Sequence, residues 1–504
     1  MGLLLSGLLG LMPLILMLIV ATVATAGLIS LSRLWRLLIG LSGISAALIL
    51  VVLLFEPQET LIQGWLAVTT TSLVIALLVQ MLGTVIASFS SRYLQGEPNQ
   101  DRYIAALALL LAAVHGLLLA DSWLLLIIAW AVIGLALQPL LCFYTDRPFA
   151  QLAAHKKRLA DRLASILLLA AALFAWQASG TLSISELNTY LELNPSSLWL
   201  QTSAVLLVLA VILRTALLPV HGWLVQVMEA PTPVSALLHE GVVNLSGYVL
   251  ISFAPLLEHA TFARWLLFAM GLVTAVMAGM VMLTRISIKV RLAWSTLAQM
   301  GFMLMQCALG LYTLALLHLL GHSVYKAHAF LSASETVRNT GFAKLGGATK
   351  ISTPSLWFAP LLAGLTIIST SSVTGIHAWP WWWSMLLAVA WAPLLWLPAN
   401  STPAWLTLLR GVGVILLLTL AAKLLHLLPL APEDAPNLLA GPLALAAFIA
   451  LYVLTAMLQL TPAKLSWARR WSYAGFYLDE QFTRLTLKFW PSDWSASKTG
   501  SKGV

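Results

Sequence analysis

LAVILRTALLPVHGWLVQVMEAPTPVSALLHEGVVNLSG, residues 209–247, decides how the whole chain is read. It begins apolar, breaks at Pro219, breaks again at Pro231 and Pro233, and re-enters an apolar run at Ser235. Arg214, Glu229, His239 and Glu240 stand in or beside the apolar flanks. A charge inside a membrane helix costs roughly 2.5–3.5 kcal/mol on the insertion scale, so it persists where it is paired, hydrated or functional. Proline-broken helices occur at membrane depth where the backbone lines a cavity or packs inside protein. The stretch therefore reads as the polar centre of a transport path, with the rest of the chain as its scaffold.

Composition agrees. Of 504 residues, 60% are hydrophobic and 9% charged, against about 25% charged in soluble domains. The fold class expected is an all-α polytopic membrane protein. The net charge of +9 calls for no nucleic acid, because Lys and Arg collect in the cytoplasmic loops of membrane proteins. Cys142 and Cys307 lie in apolar runs without a CxxC partner and fit small buried hydrophobes.

About 20 apolar residues span a bilayer as a helix. On that count spans fall near 3–27, 35–55, 64–88, 103–120, 122–144, 163–178, 199–218 and 234–256. They continue near 265–284, 292–311, 312–331, 356–374, 380–398, 405–428 and 438–460, about fifteen in all. Arg33/Arg36, Lys156/Lys157/Arg158/Arg162, Arg285/Lys289/Arg291 and Arg338/Lys344/Lys350 follow odd-numbered spans. Glu56/Glu59, Glu186/Glu192, Glu258 and Glu433/Asp434 follow even-numbered ones. The positive-inside rule then places the N-terminus outside and the C-terminus in the cytoplasm. Trp379 and Trp381 to Trp383 suit an interfacial belt. After Pro462 the mixture of charges and aromatics at helical spacing predicts an amphipathic helix on the membrane surface, open to a role in docking a partner. Residues 495–504 read as disordered. Four regions result: N-terminal helices 1–98, a translocating core 99–345, C-terminal helices 346–460 and a tail 461–504.

Two constellations suit proton movement. His318, His322 and Lys326 recur every fourth residue, one helical face inside an apolar segment, with His328 just beyond. Histidine changes charge near neutrality and buried lysine readily loses its proton. Hydrogen bonding to neighbouring helices would explain the same groups without transport. Around the opening stretch, His239 and Glu240 are the expected shuttles. Arg214 keeps its proton and acts as a fixed charge, expected to pair with Glu240. Asn244 lies one turn further. His115 and His377 read as isolated structural histidines, and Asp161, Arg162 and Lys289 as snorkelling residues at span ends. No phosphate loop, nucleotide fingerprint or zinc spacing is present, so no cofactor and no covalent chemistry are expected in this chain.

LPVHGWLVQVMEAPTPVSALLHEG, RLAWSTLAQMGFM, HLLGHSVYKAHAFLSAS and the FYLDE of residues 476–480 resemble motifs of the antiporter-like subunits of respiratory complex I and of Mrp cation/proton antiporters. The resemblance implies two inverted five-helix repeats, each with a broken helix. The chain departs from that pattern in four places. The fifth span has Trp130-Ala131 where a glutamate is usual, Arg214 stands for a lysine, Glu240 for an alanine, and TSSVTGIHAWP lacks the second-half lysine. AWAVIGLALQPLLCFY and VYKAHAFL are more similar to the membrane subunits of Dab-type inorganic-carbon accumulation systems. That resemblance implies a bacterial inner-membrane protein that passes H+ or Na+ down its gradient. It implies a large cytoplasmic partner carrying a carbonic-anhydrase-like zinc site, which hydrates CO2 to bicarbonate. A complex I-like or Mrp-type subunit is the competing expectation.

Overall fold

The computed structural model describes residues 2–54, 59–194, 196–333, 336, 351–375, 379–399, 404–461 and 465–491. Glu56, Arg338, Lys344, Lys350, His377, Pro462 and residues 495–504 lie outside them.

Twelve helices among the described residues are long and apolar enough to cross a membrane. Three of the fifteen expected spans fall outside that set. Ile288–Ala308 carries Lys289 and Arg291, Tyr312–Leu331 carries the His/Lys row, and Trp381–Leu395 is shorter. The expected all-α architecture has one small exception, a hairpin pairing Glu59–Ile62 with Leu66–Val68.

The chain divides into two units. The first comprises the described residues of Met1–Leu267, Leu319–Leu331 and Leu478–Val504. Its longest helix, Pro148–Ser179, runs 32 residues, from a proline in its first turn to Gly180 in the left-handed region (φ 73°). The sequence leads one to expect a loop through Lys156–Arg162, because five charges crowd into seven residues. The charges instead sort by face on one continuous helix. Lys156 and Lys157 are buried, while Arg158 and Arg162 are exposed. This helix packs along Leu198–Thr215 and beside Trp123–Leu141.

Beyond Leu198–Thr215 the chain turns at Ala216 (φ 59°) and a cis Leu218–Pro219 bond, then forms Gly222–Gln226 and the 3-10 turn Val227–Glu229. Pro231 caps the next helix and Pro233 sits in its first turn, where a missing N–H costs nothing. Pro233 therefore starts a helix rather than breaking one. The break in the segment Thr232–Ser252 is a π turn over Leu238–Val242, which holds His239 and Glu240. Its most apolar window is 94% buried, so it is an inner helix walled by the others.

The second unit comprises the described residues of Phe268–His318 and Ser332–Tyr477. Gly271 and Gly301 meet where two helices touch, and a Cβ on either would lie 2.7 Å from the other's carbonyl oxygen. The expected aromatic belt is corrected. Trp382 and Trp383 are fully buried and Trp379 nearly so, leaving Trp381 exposed. Lys423 is also buried, with its Nζ 4.2 Å from the Trp379 ring centre.

The tail is two short helices, Ser466–Tyr473 and Leu478–Phe489, instead of one. Between them Gly475, Phe476 and Tyr477 all have positive φ, 57–62°, a conformation costing about 1–2 kcal/mol for each residue with a side chain.

Candidate ion-translocation site

One charged cluster forms where three membrane helices meet. Asp161 accepts from Lys157 one helical turn back and pairs with Arg214 across the helix boundary, Nη1 to Oδ1 3.2 Å. Arg214 also donates to the Trp130 carbonyl at 2.9 Å and to Ser165 Oγ at 2.9 Å. These bonds fix the guanidinium while Asp161 offsets part of its desolvation. Space for the carboxylate comes from Gly134, where a Cβ would stand 2.7 Å from Asp161 Oδ2. The Arg214–Glu240 pair expected from sequence is thus corrected, since Arg214 takes Asp161, a residue that the sequence places at a span end as a snorkelling group. At the fifth span, where Ala131 leaves no carboxylate, Asp161 of the next helix supplies one beside Arg214. The signal was the Lys157/Asp161 spacing in an alanine-rich stretch.

A second pair of charges adjoins the first along Pro148–Ser179. Lys156 Nζ donates to Asp479 Oδ1 at 2.7 Å, and Gln226 Nε2 donates to Asp479 Oδ2 at 3.1 Å. Lys157 Nζ lies 5.3 Å from the centre of the Trp223 ring. Asp479 belongs to the FYLDE motif, but nothing in the sequence singles it out or points to Lys156 as its buried partner.

The π turn carries the other group. In a π turn each hydrogen bond spans one residue more than in an α-helix, which widens the helix locally. The Glu240 carbonyl accepts from Asn244 Nδ2 and, at 2.6 Å, from Ser323 Oγ, while Asn244 Nδ2 donates to Ser323 Oγ at 2.7 Å. Asn244 and Ser323 thus tie the broken helix to Tyr312–Leu331. His239 stacks on Phe330 with centroids 4.7 Å apart and planes 14° apart. Glu240 is 1% exposed, and its Oε2 has no hydrogen-bond partner among the described residues. It lines a small cavity of about 30 Å³ with Asn244, Ser323, Leu110 and Leu319.

Along Tyr312–Leu331, His322 and Lys326 are buried, His318 is half-buried, and His328 is exposed on another face. His318 Nδ1 bonds Gln306 Oε1 at 2.8 Å. Of the isolated histidines, His115 donates Nε2 to the Gly10 carbonyl at 2.7 Å, a structural role. Among the described residues no group of three or more His, Cys, Asp or Glu is placed to hold a metal ion.

Membrane helices with charged and ionisable groups turned inward define a polytopic protein of the transporter class. Residues 120–397 match the family described as NADH:quinone oxidoreductase/Mrp antiporter, TM. The chain is 39% identical to the probable inorganic carbon transporter subunit DabB of Hydrogenovibrio crunogenus, over 88% of this chain and 87% of that one. It is 36% identical to the probable subunit DabB2 of Halothiobacillus neapolitanus, over 88% and 86% of the two chains. It therefore belongs to the complex I/Mrp antiporter-like membrane family, and within it to the DabB group. In fold it resembles a chain of the Mrp complex from Dietzia sp., with TM-score 0.61 and 20% identity over 100% of this chain and 61% of that one. A chain of an archaeal membrane-bound sulfane sulfur reductase gives TM-score 0.61 at 18% identity over 95% and 99%.

Proposed function

We propose that this chain is the membrane subunit of a two-component inorganic-carbon uptake complex in a bacterial inner membrane. It passes H+ or Na+ down its gradient and so drives a large cytoplasmic partner, in which a carbonic-anhydrase-like zinc site hydrates CO2 to bicarbonate. The chain itself does no covalent chemistry. What carries this proposal is the row of ionisable groups buried in membrane helices, read together with the DabB relatives. Idle charges are costly at membrane depth, and Lys156, Lys157, Arg214, Glu240 and Lys326 are all at most 5% exposed.

In this proposal Glu240, His239, His318, His322 and Lys326 exchange the ion, and His328 serves the exposed end. Arg214 stays charged and biases Asp161 and Lys157. Asn244 and Ser323 hold the π turn open. The N-terminus lies outside and the tail in the cytoplasm. The four regions 1–98, 99–345, 346–460 and 461–504 serve as scaffold, translocating core, C-terminal helices and coupling tail.

The test is growth in air of a bacterial strain lacking carbonic anhydrase, producing this chain with and without the large cytoplasmic partner proposed for it. Rescue only with both, lost in Lys326→Met and Glu240→Gln chains that still insert, is the expected result. Full rescue by both variants refutes the ion path. Failure of an assembled pair to rescue moves the assignment to a complex I-like or Mrp-type subunit.

A further inference from the structure

Asp479 reaches the buried face of Pro148–Ser179 from far along the chain. It stands 323 residues after Lys156 and is the carboxylate bonded to that buried lysine, whose side chain is 2% exposed against 27% for Asp479. The carboxylate enters through a gap left by one missing side chain. A Cβ on Gly222 would lie 1.6 Å from Asp479 Oδ1 and 2.8 Å from Lys156 Nζ. Gln226, one turn further, fixes the second oxygen. The helix Leu478–Phe489 is held at its other end too, where His155 Nε2 donates to the Trp490 carbonyl at 3.0 Å. The neighbouring residues Gly222 and Trp223 touch the ends of Lys156 and Lys157 respectively. The Lys157–Asp161–Arg214 cluster thus begins one residue from Lys156.

An anchor for an amphipathic helix needs no buried lysine, no glycine gap and no bidentate grip on a carboxylate. We propose that Asp479 is the solvent-side port of the ion path, a positioning and proton-exchange residue supplied by the tail. The Lys156 ammonium gives a proton to the Asp479 carboxylate, and the carboxylic acid releases it to water. The Lys156 amine is then reprotonated from the adjoining cluster; the reverse sequence carries a proton inward. The docked tail is the conducting state, so anything that lifts Leu478–Phe489 interrupts the path without touching a membrane helix. This rests on the ion-path function proposed above and assigns it a terminus.

The experiment measures proton flux with a pH-sensitive dye in membrane vesicles from cells producing the full chain and its partner, normalised to the amount inserted. Asp479→Asn and Gly222→Ala, the latter displacing the carboxylate with no change of charge, are each expected to lower flux tenfold or more. The double variant Lys156→Gln/Asp479→Asn restores a neutral hydrogen-bonded contact and is expected to stay inactive. Recovery of flux in the double variant overturns the proposal, because it makes the pair a structural clasp. Full flux in Asp479→Asn alongside loss in Lys326→Met also overturns it while leaving the path intact. Full flux in the Lys326→Met chain as well overturns both.

Discussion

Asp161 is one carboxylate serving two buried cations, and the consequence is measurable. Its side chain is 14% exposed, those of Lys157 and Arg214 are 3% exposed, and it pairs with both. Asp161→Asn keeps the shape but leaves two positive charges facing each other without a counter-ion. Breaking a buried pair from one side costs about 3–5 kcal/mol, and here two pairs break at once, so the upper end of that range is expected. Arg214→Gln removes one cation while Asp161 keeps Lys157, and the hydrogen bonds to Trp130 and Ser165 are kept in part by the amide. Its cost should be smaller, about 1–3 kcal/mol. The double variant leaves only Lys157 unpaired and should fall short of the sum by at least 1 kcal/mol, beyond the roughly 0.3–0.5 kcal/mol within which independent sites add. Equilibrium unfolding in mixed micelles, followed by tryptophan fluorescence on all four proteins, gives the coupling directly. Additivity within 0.5 kcal/mol would refute the shared-carboxylate account, as would measurable coupling between Arg214 and Glu240.

Ser323→Ala removes the hydroxyl that holds the Glu240 carbonyl at 2.6 Å; a loss of about 1–3 kcal/mol and reduced ion flux are expected, and unchanged flux would separate the π turn from transport. Gly441→Ala puts a Cβ 2.2 Å from the Trp382 ring and should cost about 1–3 kcal/mol by overpacking, seen as a lower melting temperature. In the loop before Ala440–Leu460, burial pushes the Asp434 carboxyl above its usual value, against the opposing Thr313 N–H bond at 3.0 Å and the nearby His426. A raised carboxyl contributes stability that is full below its unfolded pKa of about 3.9 and is lost as pH rises through the folded value. Asp434→Asn should therefore flatten stability against pH above that point and leave the protein at neutral pH no less stable; a steeper profile would contradict the assignment.

Most of the scaffold was legible because a bilayer imposes one crude rule, a run of apolar residues of sufficient length, and Gly7–Ala26 or Ala440–Leu460 obey it without ambiguity. The rule fails where a helix carries too many polar residues. Tyr312–Leu331, with its histidines and Lys326, and Ile288–Ala308, with Lys289, Arg291 and its glutamines, are helices outside the apolar twelve. Charge density in Lys156–Arg162 suggested a loop, since linear sequence does not show that two lysines turn inward and two arginines outward. The histidine row is expected from its four-residue spacing, and Glu240 from a charge standing in an apolar run. Arg214's partner was not, because Glu240 is closer in sequence than Asp161 and pairing is decided by which helices adjoin. The π turn has no local signature at all. It is stabilised by Asn244 and Ser323, and Ser323 lies 79 residues after Asn244. The tryptophans of 381–383 look alike in sequence, and only packing divides the buried pair from the exposed one.

The long reach of Asp479 also bears on how the protein is made. When a ribosome makes residue 156, the 323 residues that end at Asp479, including most of the helices, are still unsynthesised. Until the tail emerges, Lys156 has no carboxylate to meet it, and its helix carries an excess of positive charge on an inward face. The ion pair therefore closes late in biogenesis, after the surrounding helices have inserted. A chain interrupted before residue 479 leaves Lys156 buried without the carboxylate that it meets in the finished protein.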